Sequence, residues 1–177
     1  RGLVGSEMCI RDSFNIHSAL EKVFALSQAD EQDNLKIFRD YDPSIPEIYG
    51  DEDLFIQAIL NIIKNAQQAL SSADDPEITL KSRVAYSQPI NGNLHSTLCE
   101  VSIIDNGPGI PVDIQDQVFF PMVSSKEDGS GLGLSISQDI IRIHGGAISF
   151  ETKKGKTAFS ILIPINVESK KDEVKSA

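Results

Sequence analysis

Residues 51–72, "DEDLFIQAILNIIKNAQQALSS", constrain the architecture of this chain more than any other stretch. Ile59, Ile62, Ala66 and Ala69 recur at helical spacing, and Asp51 stands where an N-cap side chain accepts from the free amides of a first turn. A helix with one apolar stripe must lay it against a second layer. On another face Asn61, Asn65 and Gln68 fall at i, i+4 and i+7. Amides on a helix face are often only solvated. An amide oxygen is also a hard, neutral ligand for Mg²⁺, which keeps several waters and shares its sphere with substrate phosphates.

The second layer is legible as strands. "EITLKSRVAYS" (77–87) and "STLCEVSIID" (96–105) read as two strands joined by a hairpin loop containing "QPINGN". "GAISFETKKGKTAFSILIPI" (146–165) reads as two more around a turn at Gly155. "FNIHSALEKVFALSQ" (14–28) has helical spacing at Ile16, Leu20, Val23 and Phe24. "LKIFRDYDPSIPEIYG" (35–50) begins as a strand and breaks at Pro43 and Pro46. "PVDIQDQVF" (111–119) is a short helix and "PMVSSKEDGSG" (121–131) a polar, flexible loop. A further helix runs from about Gly131 to His144, closed by a glycine C-cap in "HGG". Helices and antiparallel strands in this order predict an α+β two-layer sandwich. There is no internal repeat.

At 177 residues the chain is one domain, or one domain with short appendages. Its net charge of −10 argues against direct contact with a nucleic-acid backbone. Any phosphate must then be bound locally, by backbone amides or a cation. Cys9 and Cys99 have neither metal nor redox spacing and read as reduced thiols of a cytosolic protein. Apolar runs are only a few residues long, too short to span a membrane. The first residue is Arg1 rather than Met, which suggests a fragment. Residues 1–13 are expected to be disordered or a non-native extension, and the charged end, 167–177, a flexible tail.

Two glycine-bearing segments suggest chemistry. In "EDGSGLGLSISQDIIRIHGG" (127–146), Gly129, Gly131 and Gly133 precede an amphipathic helix. Free amides and the positive dipole end at its start suit a phosphate, and glycines let the backbone approach closely. A dinucleotide-binding fingerprint would need a strand immediately upstream, which "PMVSSKED" is not. A Walker A loop is excluded by the missing Gly-Lys-Ser/Thr ending. In "IIDNGPGIP" (103–111) an apolar strand runs into Asp105, and Gly107 and Gly109 bend the chain beyond it. A carboxylate there can accept from an amine such as adenine's exocyclic amino group. A plain Asp-Asn-Gly turn is the alternative.

The order Asn65, "DNGPG", "FFP", "GSGLGL" resembles the ATP-binding catalytic domain of sensor histidine kinases over roughly residues 14–165. These are that family's N, G1, F and G2 boxes. The resemblance implies the fold shared with some ATPases and chaperones: a mixed, mostly antiparallel sheet with helices on one face. It implies ATP and Mg²⁺, with Asn65 binding the ion that bridges the phosphates and Asn61 near the γ-phosphate as the catalytic candidate. It implies Asp105 recognising adenine, with Gly107 and Gly109 shaping the pocket. Phe119, Phe120 and Pro121 match the F box of a mobile lid, and Gly129, Gly131, Leu132 and Gly133 the G2 box against the phosphates. Lys126 matches a basic lid residue, an exposed lysine without a role being the alternative. Thr157 matches a threonine on the adenine side.

The runs "DYDPSIPEIYGDEDLFIQAILNIIKNAQQAL" and "PMVS" after the F box resemble the nitrogen-regulation branch of these kinases. That branch implies a cytoplasmic homodimer that phosphorylates an NtrC-like response regulator and is steered towards phosphatase behaviour by a PII signal protein. The family's acceptor histidine is followed by an acidic residue. His17, His95 and His144 are followed by Ser18, Ser96 and Gly145, so no phosphoacceptor is expected in this chain. The acceptor helix would lie upstream, on its own or a partner subunit, with 14–28 the tail of the connection to it and 29–166 the catalytic domain. The fragment itself is expected to be a monomer.

Two alternatives belong to other classes. Conformational clamps of the same fold hydrolyse ATP with a glutamate base one turn before the N-box Asn, a place held here by Asn61, which has no such chemistry. A non-catalytic nucleotide-sensing or docking module is the other.

Overall fold

The computed structural model describes residues 12–29, 34–90, 92–121 and 133–165, without the side chains of 87–89 and 93–96. The chain runs β1 (Ser13–Phe14), α1 (Ile16–Gln28), β2 (Lys36–Asp40), β3 (Ile48–Tyr49), α2 (Glu52–Ala69), β4 (Glu77–Ile90) and β5 (Asn93–Asp105). A 3₁₀ segment (Val112–Gln117), α3 (Gly133–Ile143), β6 (Ala147–Lys153) and β7 (Lys156–Pro164) follow. The terminal stretches 1–11 and 166–177, the loop 122–132, and residues 30–33 and 91 lie outside the described residues. β1 begins one residue inside the stretch that the sequence assigns to an extension: Ser13 pairs with Tyr49, and the Gly50 amide donates to the Asp12 carbonyl at 2.9 Å.

Both long helices start on side-chain caps. Asn15 accepts from the His17 and Ser18 amides at 2.9 and 3.2 Å. Asp51 accepts from the Leu54 amide at 3.1 Å, and Glu52 and Asp53 set negative charge in the first turn of α2, where the helix dipole favours it. The stripe read from sequence is largely the buried one: Ile59, Ile62 and Ala66 are in the core, and Ala69 is half-buried.

The five-stranded sheet has the order β2-β4-β5-β7-β6 among the described residues. β2 is parallel to β4, and every other neighbouring pair is antiparallel. The parallel pair follows from connectivity, since α2 lies between β2 and β4 and returns the chain to the same end. In the inward rows Leu80 stands opposite Ile103 and Ile103 opposite Phe159, while Val101 and Cys99 pair with Ile161 and Ile163. These side chains form one core with Leu20 and Val23 of α1, Phe55, Ile59 and Ile62 of α2, and Ile140 and Ile141 of α3. The opposite face is small and polar, with Lys81, Ser102, Ser160 and Ser149 in one register row. The result is the expected two-layer sandwich, a mixed, mostly antiparallel sheet with helices on one face.

The first hairpin is tighter than the sequence reading. β4 and β5 continue to Ile90 and Asn93, so only two residues connect them, the second being Gly92 with φ +81°. Pro89 is tolerated because β2 stops pairing with β4 at Lys81, leaving the far arm an edge.

Candidate functional site

Alternation along β5 puts Cys99, Val101, Ile103 and Asp105 in one inward row, so the row ends in a carboxylate. Asp105 is only 4% exposed. Burial pushes its pKa up, and the Gly107 amide, donating to Oδ1 at 2.9 Å, partly opposes that shift. Its register neighbours are Ile78 on β4 and Thr157 on β7.

The loop after Asp105 is held from both sides. Toward β4, the Asn106 side chain accepts from the Glu77 amide at 2.8 Å and donates to the Asp75 carbonyl at 2.9 Å. Toward the β6–β7 turn, the Gly107 carbonyl accepts from the Gly155 amide at 3.0 Å. The Ile110 amide donates to Thr152 Oγ1 at 2.9 Å, and the Thr152 and Thr157 hydroxyl oxygens are 2.8 Å apart. Close approach explains two glycines. A Cβ on Gly107 would lie 2.9 Å from Asp105 Oδ1, and one on Gly109, whose φ is +92°, 2.8 Å from the Lys153 carbonyl oxygen.

The polar face of α2 runs between this loop and α3. At one end, Ala69 and Leu70 are the neighbours that a side chain on Gly107 would meet. At the other, a Cβ on Gly133, the first residue of α3, would sit 3.6 Å from Asn61 Cβ. Asn61 and Asn65 lie between, half-buried, and neither side chain has a hydrogen-bond partner among the described residues. No cluster of three or more His, Cys, Asp or Glu that could hold a metal occurs among the described residues. An amide oxygen such as that of Asn65 is a donor type that suits Mg²⁺ where ligand phosphates share its sphere.

Two contacts absent from the sequence reading fix α3 on α2. Ser137 Oγ donates to the Ala58 carbonyl at 2.8 Å. His144 Nδ1 bonds the Ile140 carbonyl at 2.7 Å and Nε2 the Asp51 amide at 3.0 Å. An amide can only donate, so Nε2 accepts and the ring is neutral with its proton on Nδ1. His17 is also structural: its Nε2 lies 2.9 Å from Ser82 Oγ, its ring stacks on Tyr41 at 4.9 Å, and burial lowers its pKa.

Phe119 anchors the start of the F-box segment in an aromatic cluster, 6.0 Å from Phe150 and 6.3 Å from Phe159 between ring centres. Phe120 is exposed. Asn61, Asn65, Asp105, Gly107, Gly109, Gly133 and Thr157 thus surround one region of the fold, whereas Lys126, Gly129, Gly131 and Leu132 lie outside the described residues. Thr152 was the miss nearest the site. Strand alternation could have found it, since it continues the inward row of Ile148 and Phe150 as the single hydroxyl.

Residues 50–167 match the family described as histidine kinase-, DNA gyrase B-, and HSP90-like ATPase. The sensory histidine kinase/phosphatase NtrB of Vibrio alginolyticus is 48% identical over 151 residues, which is 85% of this chain and 43% of that protein. The chain thus spans less than half the length of the curated relatives it matches. Among solved structures, the nucleotide-free catalytic domain of histidine kinase ThkA has a TM-score of 0.72 at 26% identity, covering 87% of this chain and 95% of that one. Histidine kinase ThkA in complex with response regulator protein TrrA has a TM-score of 0.68 at 24% identity, covering 88% and 42%, a likeness of fold alone.

Proposed function

Since the chain belongs to the histidine kinase-, DNA gyrase B-, and HSP90-like ATPase family, we propose that it is the ATP- and Mg²⁺-binding catalytic domain of an NtrB-like sensor histidine kinase. The observation that carries the reading is Asp105, a carboxylate buried at the end of an apolar row beside a glycine loop pinned on both sides.

Asp105 accepts from the adenine amine, and Thr157 lies beside it on the next strand. Gly107 and Gly109 let the base approach the backbone. The phosphates extend along the Asn65–Asn61 face of α2 towards the N-terminal end of α3, where helix amides receive negative charge. Mg²⁺ would be held by the Asn65 amide oxygen together with the ligand phosphates, and would supply neutralisation of phosphate charge. Asn61 orients the γ-phosphoryl without acting as a base, so transfer rather than hydrolysis is the outcome. Lys126 and the G2 residues Gly129, Gly131 and Leu132 complete the phosphate side.

The acceptor is a histidine on a helix outside this chain, while α1, whose Leu20 and Val23 are buried in the common core, is part of the catalytic domain itself. The phosphoryl group then passes to an NtrC-like response regulator, in the setting of nitrogen regulation, with a PII signal protein as modulator. The full-length protein is a cytoplasmic homodimer. Among the described residues no helix is long and apolar enough to cross a membrane.

The test is calorimetric titration with ATP, with and without Mg²⁺, followed by phosphate release and transfer to phosphoacceptor helices supplied in trans. Metal-strengthened binding with transfer and little free phosphate is the expected result. Steady hydrolysis would point to a conformational clamp, and absence of binding would overturn the assignment.

A further inference from the structure

The turn of the β6–β7 hairpin reads "KKGK", and the side chains of Lys153, Lys154 and Lys156 are all exposed. None of the three has an ion-pair partner among the described residues. Lys22, Lys36, Arg39, Arg83 and Arg142, by contrast, each lie 2.7–3.6 Å from a carboxylate. Lys64 and Lys81, the other two without such a partner there, are single positions on α2 and β4. Uncompensated positive charge is thus gathered at one hairpin of a chain whose net charge is −10.

That hairpin borders the candidate site. Its Gly155 amide donates to the Gly107 carbonyl at 3.0 Å, and the Lys153 carbonyl oxygen lies 2.8 Å from where a Cβ on Gly109 would stand. Around the same loop the other exposed charges are negative: Asp74 and Asp75 towards β4, and Asp113 and Asp116 in the 3₁₀ segment beyond it. Glu151 is the one carboxylate on β6 itself. An acidic chain repels a polyphosphate at long range, so a local reversal of the field decides how readily one arrives. Exposed charges act through water over a Debye length, about 8 Å at physiological ionic strength and about 30 Å at 0.01 M, and so need no contact with the phosphates. On the reading of this region as a nucleotide site, on which the inference rests, we propose that Lys153, Lys154 and Lys156 form an electrostatic collar. It recruits the nucleotide through its polyphosphate charge rather than through its base.

The test is calorimetry on the whole chain with metal-free ATP and AMP, at about 20 mM and about 300 mM salt. The parent is compared with K153Q/K154Q/K156Q and the charge reversal K153E/K154E/K156E, and circular dichroism melts verify that each is folded. At low salt ATP affinity should fall about fivefold in the glutamine variant and further in the glutamate variant, with AMP losing about twofold or less. High salt should bring the variants back to within about twofold of the parent. Unchanged ATP affinity at low salt, a loss that salt does not shrink, or equal losses for ATP and AMP would each overturn the collar while leaving the nucleotide site standing. A parent that binds neither nucleotide overturns the site and the inference together.

Discussion

Asp105 and Thr157 face each other across two antiparallel strands, both buried, at the end of rows that are otherwise apolar. A core position has been given to an ionisable group, and its protonation bears in opposite senses on folding and on ligand binding. The pKa is raised by burial, so the contribution of Asp105 to folding is fully present at low pH and is lost as pH rises through the raised value. Adenine binding runs the other way, because the amine prefers a carboxylate. ATP affinity should therefore decline on acidification from a higher pH than an ordinary aspartate would give. Asp105→Asn should weaken ATP binding by tenfold or more at neutral pH, remove that acid dependence, and leave the melting temperature unchanged or higher. Titrations across pH 5–8 with parallel melts check all three, and an unaltered pH profile in the variant would sink the assignment.

Asn65 and Asn61 should separate by what they disturb. Asn65→Ala is expected to abolish the strengthening of ATP binding by Mg²⁺ while leaving metal-free binding nearly unchanged. Asn61→Ala should keep Mg-ATP affinity within a few-fold and lose transfer to an acceptor supplied in trans. Calorimetry with and without the ion, beside a radiolabel transfer assay, distinguishes them. If both variants fail in the same way, the division of roles is wrong.

Two glycines with positive φ offer a controlled contrast. Gly109 (φ +92°) meets the Lys153 carbonyl, whereas Gly155 (φ +88°) faces open space. Alanine at 155 should cost only backbone strain, about 1 kcal/mol. Alanine at 109 adds a steric conflict with main chain and should cost about 2–3 kcal/mol as well as nucleotide affinity. Urea unfolding of both variants measures the difference, and equal costs would show that the hairpin yields.

Gly50 and His144 form a second tight pair, far from the nucleotide in sequence terms. A Cβ on Gly50 would overlap His144 Cδ2 and push the ring off the Asp51 amide. Both Gly50→Ala and His144→Leu should cost about 1–3 kcal/mol by leaving that amide unsatisfied. If the two effects share this cause, the double variant should be less destabilised than the sum of the singles. Full additivity would mean that the residues act separately.

Much of this was readable beforehand for identifiable reasons. The α2 stripe, the Asp51 cap and the Gly145 helix end are local signals, set by residues within a turn of one another. Asp105, Gly107 and Gly109 were readable because a carboxylate ending an apolar strand needs an explanation. The parallel pairing of β2 with β4 was not readable, since five residues carry no register information across an intervening helix. Nor was the Thr152 hydroxyl pair, or the part His144 plays. Their meaning depends on which distant backbone amide arrives beside them, and periodicity does not encode that.

The antiparallel run of α3 along α2 touches at Gly133 with Asn61, at Ser137 with the Ala58 carbonyl and at His144 with the Asp51 amide. Three contacts distributed along two helices tie their lengths together. One residue inserted between Asp51 and Asn61 would turn everything beyond it by about 100° and break the match at one end or the other. Insertions and deletions should therefore be excluded from these two spans, whatever variation in residue type they accept, while the Gly92 hairpin tip, where a side chain would meet nothing, is free to change length.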